Sequence, residues 1–144
     1  MKIAVAGMGL IGGSLCRAIK QYTSHTVLGW TRNQKTVAFA LSVDAIDRPL
    51  TDLREPDLIF VALPPEATID YLTSHARDFR PGAIVADICG VKQPVIDAAD
   101  RLLHDLGVRY VGTHPMAGKE VSGFANSDVD LYKNASRSEE HTSE

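Results

Sequence analysis

With 144 residues, the chain is long enough for one domain with a real core and short for a complete two-domain enzyme. Its 44% hydrophobic and 23% charged content suits an ordinary globular protein, and a net charge of -3 argues against a nucleic-acid surface, which needs a basic patch. Two cysteines, Cys16 and Cys89, are too few and too far apart for a zinc motif or a disulfide framework. They read as small buried residues in a reducing compartment. No apolar run approaches the ~18 residues of a membrane span, so the expected location is the cytoplasm, with no membrane or nucleic-acid partner.

The chain begins with a short apolar run, Ile3-Ala4-Val5-Ala6, that leads straight into Gly7-Met8-Gly9-Leu10-Ile11-Gly12. A G-x-G-x-x-G between a strand and a helix start is the context a dinucleotide fingerprint requires. Gly7 allows the tight turn, Gly9 lets the backbone approach a pyrophosphate, and Gly12 lets the helix lie close on the strand. The N–H groups of Leu10 and Ile11, at the positive end of the helix dipole, favour a phosphate. The same glycines break any secretory-signal reading of the N-terminus.

Helical spacing continues through Leu15, Ala18 and Ile19 to about Tyr22, and Thr26–Trp30 reads as a second strand. Asn33 is a plausible N-cap for a helix through Val37, Ala38 and Leu41. Asp44–Asp47 is expected as a short third strand. Asp57–Leu63, apolar on both faces, suits a central parallel strand. Pro65 starts a helix to about Arg77, Ala83–Ala86 is another buried strand, and Asp87–Val91 is expected as a loop. A helix from Gln93 or Pro94 through Leu106 is closed by Gly107, and Val108–Val111 leads to Gly112-Thr113-His114-Pro115. This alternation predicts an α/β, Rossmann-type doubly wound fold with a mostly parallel sheet.

In such a sheet ligands bind beyond the carboxyl ends of the strands. The turns after Ala6, Trp30, Leu63 and Ala86 lie there, which puts Leu63 and Pro64 among the expected cofactor contacts. About 20 residues past the glycines an acidic side chain usually holds a ribose 2'-OH. This chain has Thr31-Arg32 instead. A guanidinium pairs with a phosphate through two hydrogen bonds, so the residues favour NADP, with NAD possible. His114 leaves a buried strand at the same edge, where a neutral imidazole is placed to take a proton from a substrate hydroxyl. His25, His75 and His104 read as solvated surface.

Gly7–Leu15, Asp87-Ile88-Cys89-Gly90-Val91-Lys92 and Gly112-Thr113-His114-Pro115-Met116-Ala117-Gly118-Lys119-Glu120 together resemble prephenate/arogenate dehydrogenase of tyrosine biosynthesis, over residues 1–136. The resemblance implies oxidative decarboxylation of a small-molecule substrate, prephenate or arogenate, with hydride passing to NAD(P). It makes His114 the base for the ring hydroxyl, Lys92 a second catalytic residue, and Asp87 an organiser of the loop beside the nicotinamide. Many members carry a serine where this chain has Gly90, which leaves the hydroxyl contact to His114 alone or to Thr113 or a water. The family's second, helical domain supplies the homodimer interface and the groups that hold the substrate's carboxylates, and its sequence is absent here.

Residues 137–144, Arg-Ser-Glu-Glu-His-Thr-Ser-Glu, contain no apolar side chain and resemble the translated frame of a common sequencing-library adapter. They are expected to be foreign to a truncated domain of residues 1–136, or else a disordered polar end. Two other functions stay open on sequence alone: another dehydrogenase with the same first turn, such as a β-hydroxyacid dehydrogenase, and a non-catalytic dinucleotide-sensing module.

Overall fold

Alternation of side chains along the first strand sets up two cores. In β1 (Lys2–Ala6), Ile3 and Val5 face one helical layer, and Ala4 and Ala6 face the other. The computed structural model describes residues 1–88 and 93–113, Phe124 and Ser127 in full, and residues 114–116 and 136–143 as backbone. After β1 come α1 (Leu10–Tyr22), β2 (Thr26–Trp30), α2 (Gln34–Ser42), β3 (Arg48–Pro49) and β4 (Leu58–Val61). They are followed by α3 (Pro65–His75), β5 (Ile84–Asp87), α4 (Gln93–Leu103), β6 (Arg109–Met116) and β7 (Ser136–Ser143).

The sheet runs β3-β2-β1-β4-β5-β6-β7, parallel from β3 through β6, with β7 antiparallel. The expected doubly wound α/β fold is therefore present. Cys16 and Ile19 of α1 and Val37 and Ala40 of α2 pack with Ile3, Val5 and Val27 on one face. Tyr71 and Leu72 of α3 and Val95, Ala99 and Leu103 of α4 pack with Ala4, Ile59, Val61 and Val85 on the other. Each large aliphatic side chain so buried contributes about 1.5–3 kcal/mol. The chain leaves β1 in one direction for β2 and β3, then returns to place β4 on the other side of β1. That reversal opens a crevice at the carboxyl ends of β1 and β4.

Four elements differ from the sequence expectation. The third strand is Arg48–Pro49, not Asp44–Asp47. Asp44 takes φ 58°, and the N–H groups of Asp44 and Ala45 close α2 on the carbonyls of Leu41 and Ala40. Pairing with β2 starts only where the Asp47 N–H reaches the Val27 carbonyl at 2.8 Å while its carboxylate accepts the Val27 N–H at 2.7 Å. Pro49 is tolerated because β3 is an edge strand. Asp87 ends β5 rather than opening a loop, because it has parallel partners on both sides, Val61 and Gly112. Helix α4 stops at Leu103, and a turn carries the chain to Gly107 at φ 71°.

The fourth difference lies at the end of the chain. Strand β6 runs on through His114 to Met116, and these last residues pair with β7 in the register His114↔Ser138 and Met116↔Ser136. An antiparallel edge strand needs only backbone groups, which residues 137–143 supply without an apolar side chain. Among the described residues no helix is long and apolar enough to cross a membrane.

Candidate functional site

The glycine turn is built as its sequence dictates. Gly7 has φ +99°, and a Cβ there would lie 2.5 Å from the Ala62 carbonyl oxygen. A Cβ on Gly12 would lie 1.8 Å from the Gly7 carbonyl oxygen, so this glycine sets how closely α1 meets the turn. Gly9 differs from both: it is exposed, and a Cβ built on it meets nothing within 4 Å. Packing within the described protein thus gives no reason for glycine at position 9. An open position at the N-terminus of a 13-residue helix, with no side-chain cap, suits close approach of an anion. Leu10, buried, and Ile11, half-buried, form the first turn of that helix.

A cleft of about 500 Å³ lies beside this turn, lined by Trp30, Thr31, Arg32, Leu63, Pro64 and Tyr71 among others. Four residues expected from sequence as cofactor contacts, two after β2 and two after β4, therefore line one cleft. Local hydrogen bonds hold them there. The Gly7 N–H donates to the Trp30 carbonyl at 2.7 Å, and Asn33 caps α2 by accepting the Lys35 N–H at 2.9 Å. On the other side Thr68 donates its hydroxyl to the Leu63 carbonyl at 3.0 Å and its N–H to the Pro64 carbonyl at 2.8 Å. Arg32 is exposed in this cleft, and Asp70 and His75 also line it.

The sequence reading missed the aromatic floor. Trp30 and Tyr71 pack at 5.5 Å between ring centroids, and His75 packs on Tyr71 at 4.6 Å. The His75 Nδ1 lies 3.2 Å from an Asp78 carboxylate oxygen. His75 is therefore half-buried cleft lining, not solvated surface as expected. The available signal was the four-residue spacing from Tyr71, which puts both on one face of α3. Burial pushes the Tyr71 phenol above its ordinary range, with the Asp78 charge adding to it. A second cavity of about 350 Å³, lined by Leu50, Asp52 and Leu53, shares Trp30, Tyr71 and His75 with the first. The whole is a slot with an aromatic floor and a guanidinium at its edge, a shape and chemistry fit for a purine nucleotide.

At the far side of the crevice Asp87 is fully buried at the end of β5, and its backbone carbonyl accepts the Thr113 hydroxyl at 2.7 Å. The parallel pairing of β5 with β6 ends at Asp87↔Gly112, so the His114 backbone sits two residues beyond the last parallel pair. The His114 side chain and all of Lys92 lie outside the described residues, as do Cys89, Gly90 and residues 117–120. Among the described residues no group of three His, Cys, Asp or Glu side chains is placed to hold a metal.

Comparison with known proteins places this geometry in a family. The model for "Prephenate dehydrogenase, nucleotide-binding domain" matches residues 15–137. A prephenate dehydrogenase of Lactococcus lactis subsp. cremoris is 30% identical over 138 residues, covering 93% of this chain and 39% of the relative. The crystal structure of Synechocystis arogenate dehydrogenase superposes with a TM-score of 0.86 at 30% identity, covering 95% of this chain and 49% of that one. A prephenate dehydrogenase from Aquifex aeolicus, solved in complex with hydroxyphenyl propionate and NAD+, shares the fold with a TM-score of 0.84 at 21% identity, covering 95% of this chain and 49% of that one. The chain thus spans half or less of the length of these three proteins.

Proposed function

This chain belongs to the prephenate dehydrogenase nucleotide-binding domain family, and from that premise we propose that it is the dinucleotide-binding half of an enzyme that oxidatively decarboxylates prephenate, or its amino analogue arogenate, in tyrosine biosynthesis. One observation carries this reading: Thr31, Arg32, Leu63 and Pro64 line a single cleft beside a glycine turn whose Gly9 is open.

Gly7, Gly9, Leu10, Ile11 and Gly12 would hold the pyrophosphate, and Leu63 and Pro64 would flank the adenosine. Thr31 and Arg32 would take a 2'-phosphate, so NADP is the preferred cofactor, with NAD the alternative. Held by these residues, the dinucleotide would supply the hydride acceptor for the ring carbon that carries the substrate's hydroxyl. His114 would receive the hydroxyl proton, carbon dioxide departs from the quaternary carbon on the opposite side of the ring, its bonding electrons passing through the diene, and prephenate becomes aromatic 4-hydroxyphenylpyruvate. Asp87 would order the chain that follows β5, and Lys92 would act beside the substrate. None of these roles falls on residues 137–144, which we read as foreign to the domain. The dimer contacts and the groups that hold the substrate's carboxylates belong to the half of the enzyme outside this chain, so this chain alone binds cofactor weakly and turns over little.

The test is His114→Asn in the full-length enzyme, a cytoplasmic homodimer on this reading. Turnover with prephenate is expected to fall by about 10²–10⁴-fold with dinucleotide affinity unchanged. Undiminished turnover would remove His114 from the chemistry. The single tryptophan, Trp30, gives a direct readout of cofactor entry, since it lines the cleft. Its fluorescence should respond to NADP at lower concentration than to NAD.

A further inference from the structure

A second glycine, Gly13, follows the fingerprint, and nothing in the dinucleotide turn requires it. Glycine is unfavourable inside a helix relative to alanine, yet Gly13 is the fourth residue of α1. Its surroundings give the reason. A Cβ on Gly13 would lie 2.5 Å from Cδ1 of Phe124 and 3.0 Å from Cβ of Ser127. Phe124 is 5% exposed, packs edge-on against Phe39 at 5.7 Å, and carries the Arg17 guanidinium 4.9 Å above its ring. Arg17 also donates through Nε to the Ser127 hydroxyl at 2.5 Å. Gly13 and Arg17 stand four residues apart, on one face of α1.

We infer that Gly13, Arg17, Phe124 and Ser127 form an anchor that positions the strand end bearing His114 against the dinucleotide helix. This makes Gly13 and Phe124 positioning residues, and it rests on the proposed role of His114 as the base. Strand β6 loses its parallel partner after Gly112, and beyond that pair the Thr113 hydroxyl still donates to the Asp87 carbonyl of β5. Downstream of β6, the first described residue packed on the rest of the domain is Phe124, ten residues after His114. Besides its backbone pairing with Ser138 of β7, His114 lies between one fixed point on β5 and another on α1, the helix that begins at the glycine turn. Gly12 and Gly13 divide the work: Gly12 admits the turn and Gly13 admits Phe124.

The test uses the 144-residue chain and the ring resonances of His114, assigned by comparison with a His114→Gln variant. Gly13→Ala should favour the helix itself, yet displace Phe124. The expected result is a shift of the His114 ring signals and amide exchange at residues 113–116 at least about tenfold faster, as overpacking a filled contact loosens the segment it holds. Adding Phe124→Leu, which removes the ring atoms that the new methyl meets, should restore both. Arg17→Met, which keeps an unbranched stem at this half-buried position but removes the guanidinium over Phe124 and its bond to Ser127, should move the His114 signals in the same direction. The anchor is overturned if Gly13→Ala or Arg17→Met leaves His114 unmoved, or if Phe124→Leu does not reverse the shift. These readouts need neither dinucleotide nor turnover, so they stand apart from the titration and assay that test the function. In the full-length enzyme Gly13→Ala should lower kcat while the dinucleotide KM stays within about twofold.

Discussion

The Gly7 N–H donates to the Trp30 carbonyl at 2.7 Å, which ties the glycine turn to the strand end that carries Thr31 and Arg32. The turn thus belongs to the wall of the cleft as well as to the first helix. Two alanine substitutions separate these duties. At Gly7 the positive φ and the 2.5 Å approach to the Ala62 oxygen make Gly7→Ala destabilising by about 2 kcal/mol or more. At Gly9 the Cβ meets nothing, so Gly9→Ala should change stability by less than about 0.5 kcal/mol. It should nonetheless weaken dinucleotide binding at least about tenfold, the loss of one good hydrogen bond. Urea denaturation and Trp30 fluorescence titration read the two effects. A Gly9→Ala chain that binds as the parent does would place the phosphates elsewhere.

On the proposed reading, Arg32 carries the cofactor preference. It is exposed at the cleft wall beside Thr31, where a carboxylate would repel a 2'-phosphate. Arg32→Asp should lower the ratio of NADP to NAD affinity by about 10- to 100-fold, the worth of a charge-assisted pair with a phosphate. Asp70 lines the same cleft and adds a fixed negative charge, so Asp70→Asn should move the ratio the other way. A ratio indifferent to Arg32→Asp would leave that guanidinium as an ordinary surface charge.

Local covalent constraint made parts of this fold readable in advance. The glycine turn is legible because positive φ and missing Cβ atoms leave few alternatives at Gly7 and Gly12. The central strands are legible because burial on both faces demands an apolar run such as Leu58–Val61. Strand β3 was not, because two residues at a sheet edge are placed by the Asp47 contacts with Val27, and nothing in the sequence announces a side chain that bonds a neighbouring strand. His75 was misread because its burial comes from Tyr71 and not from its own apolarity. Phe124 meets Gly13 across more than a hundred positions, a contact that only the folded chain reveals.

Acid should destabilise the chain partly through Asp57. Its carboxylate accepts the Lys2 N–H at 2.8 Å and pairs with the Arg80 guanidinium. The Lys2 N–H first, then Arg80, hold this carboxyl below the ordinary aspartate range. A depressed pKa gives stability that is present above the unfolded value, about 3.9, and lost as pH falls through the lower folded one. Asp57→Asn should therefore be less stable than the parent near neutral pH, and its stability should fall less steeply below about pH 4. Both side chains are partly exposed, so salt should narrow the difference. Urea midpoints of both chains across this range measure it, and parallel curves would take Asp57 out of the acid transition.

Cys16 offers a probe that reports fold and ligand together. It sits fully buried on α1, one turn past the glycines, and burial pushes its thiol up to about 12. At pH 8 the thiol is neutral and enclosed, so iodoacetamide should reach it only when α1 opens. In a Cys89→Ser background, labelling of Cys16 then follows the opening equilibrium. A ligand that binds only the folded chain lowers the open population by the factor 1 + [L]/Kd. Dinucleotide at about 100 times its Kd should therefore slow labelling about 100-fold, equivalent to ~2.7 kcal/mol. NADP should reach that protection at lower concentration than NAD, and Gly9→Ala should require more of either. If labelling slows equally with nicotinamide mononucleotide, which lacks the adenosine half, the cleft formed by Trp30, Arg32 and Pro64 does not hold that half. If no dinucleotide slows it, α1 does not open on a bound phosphate.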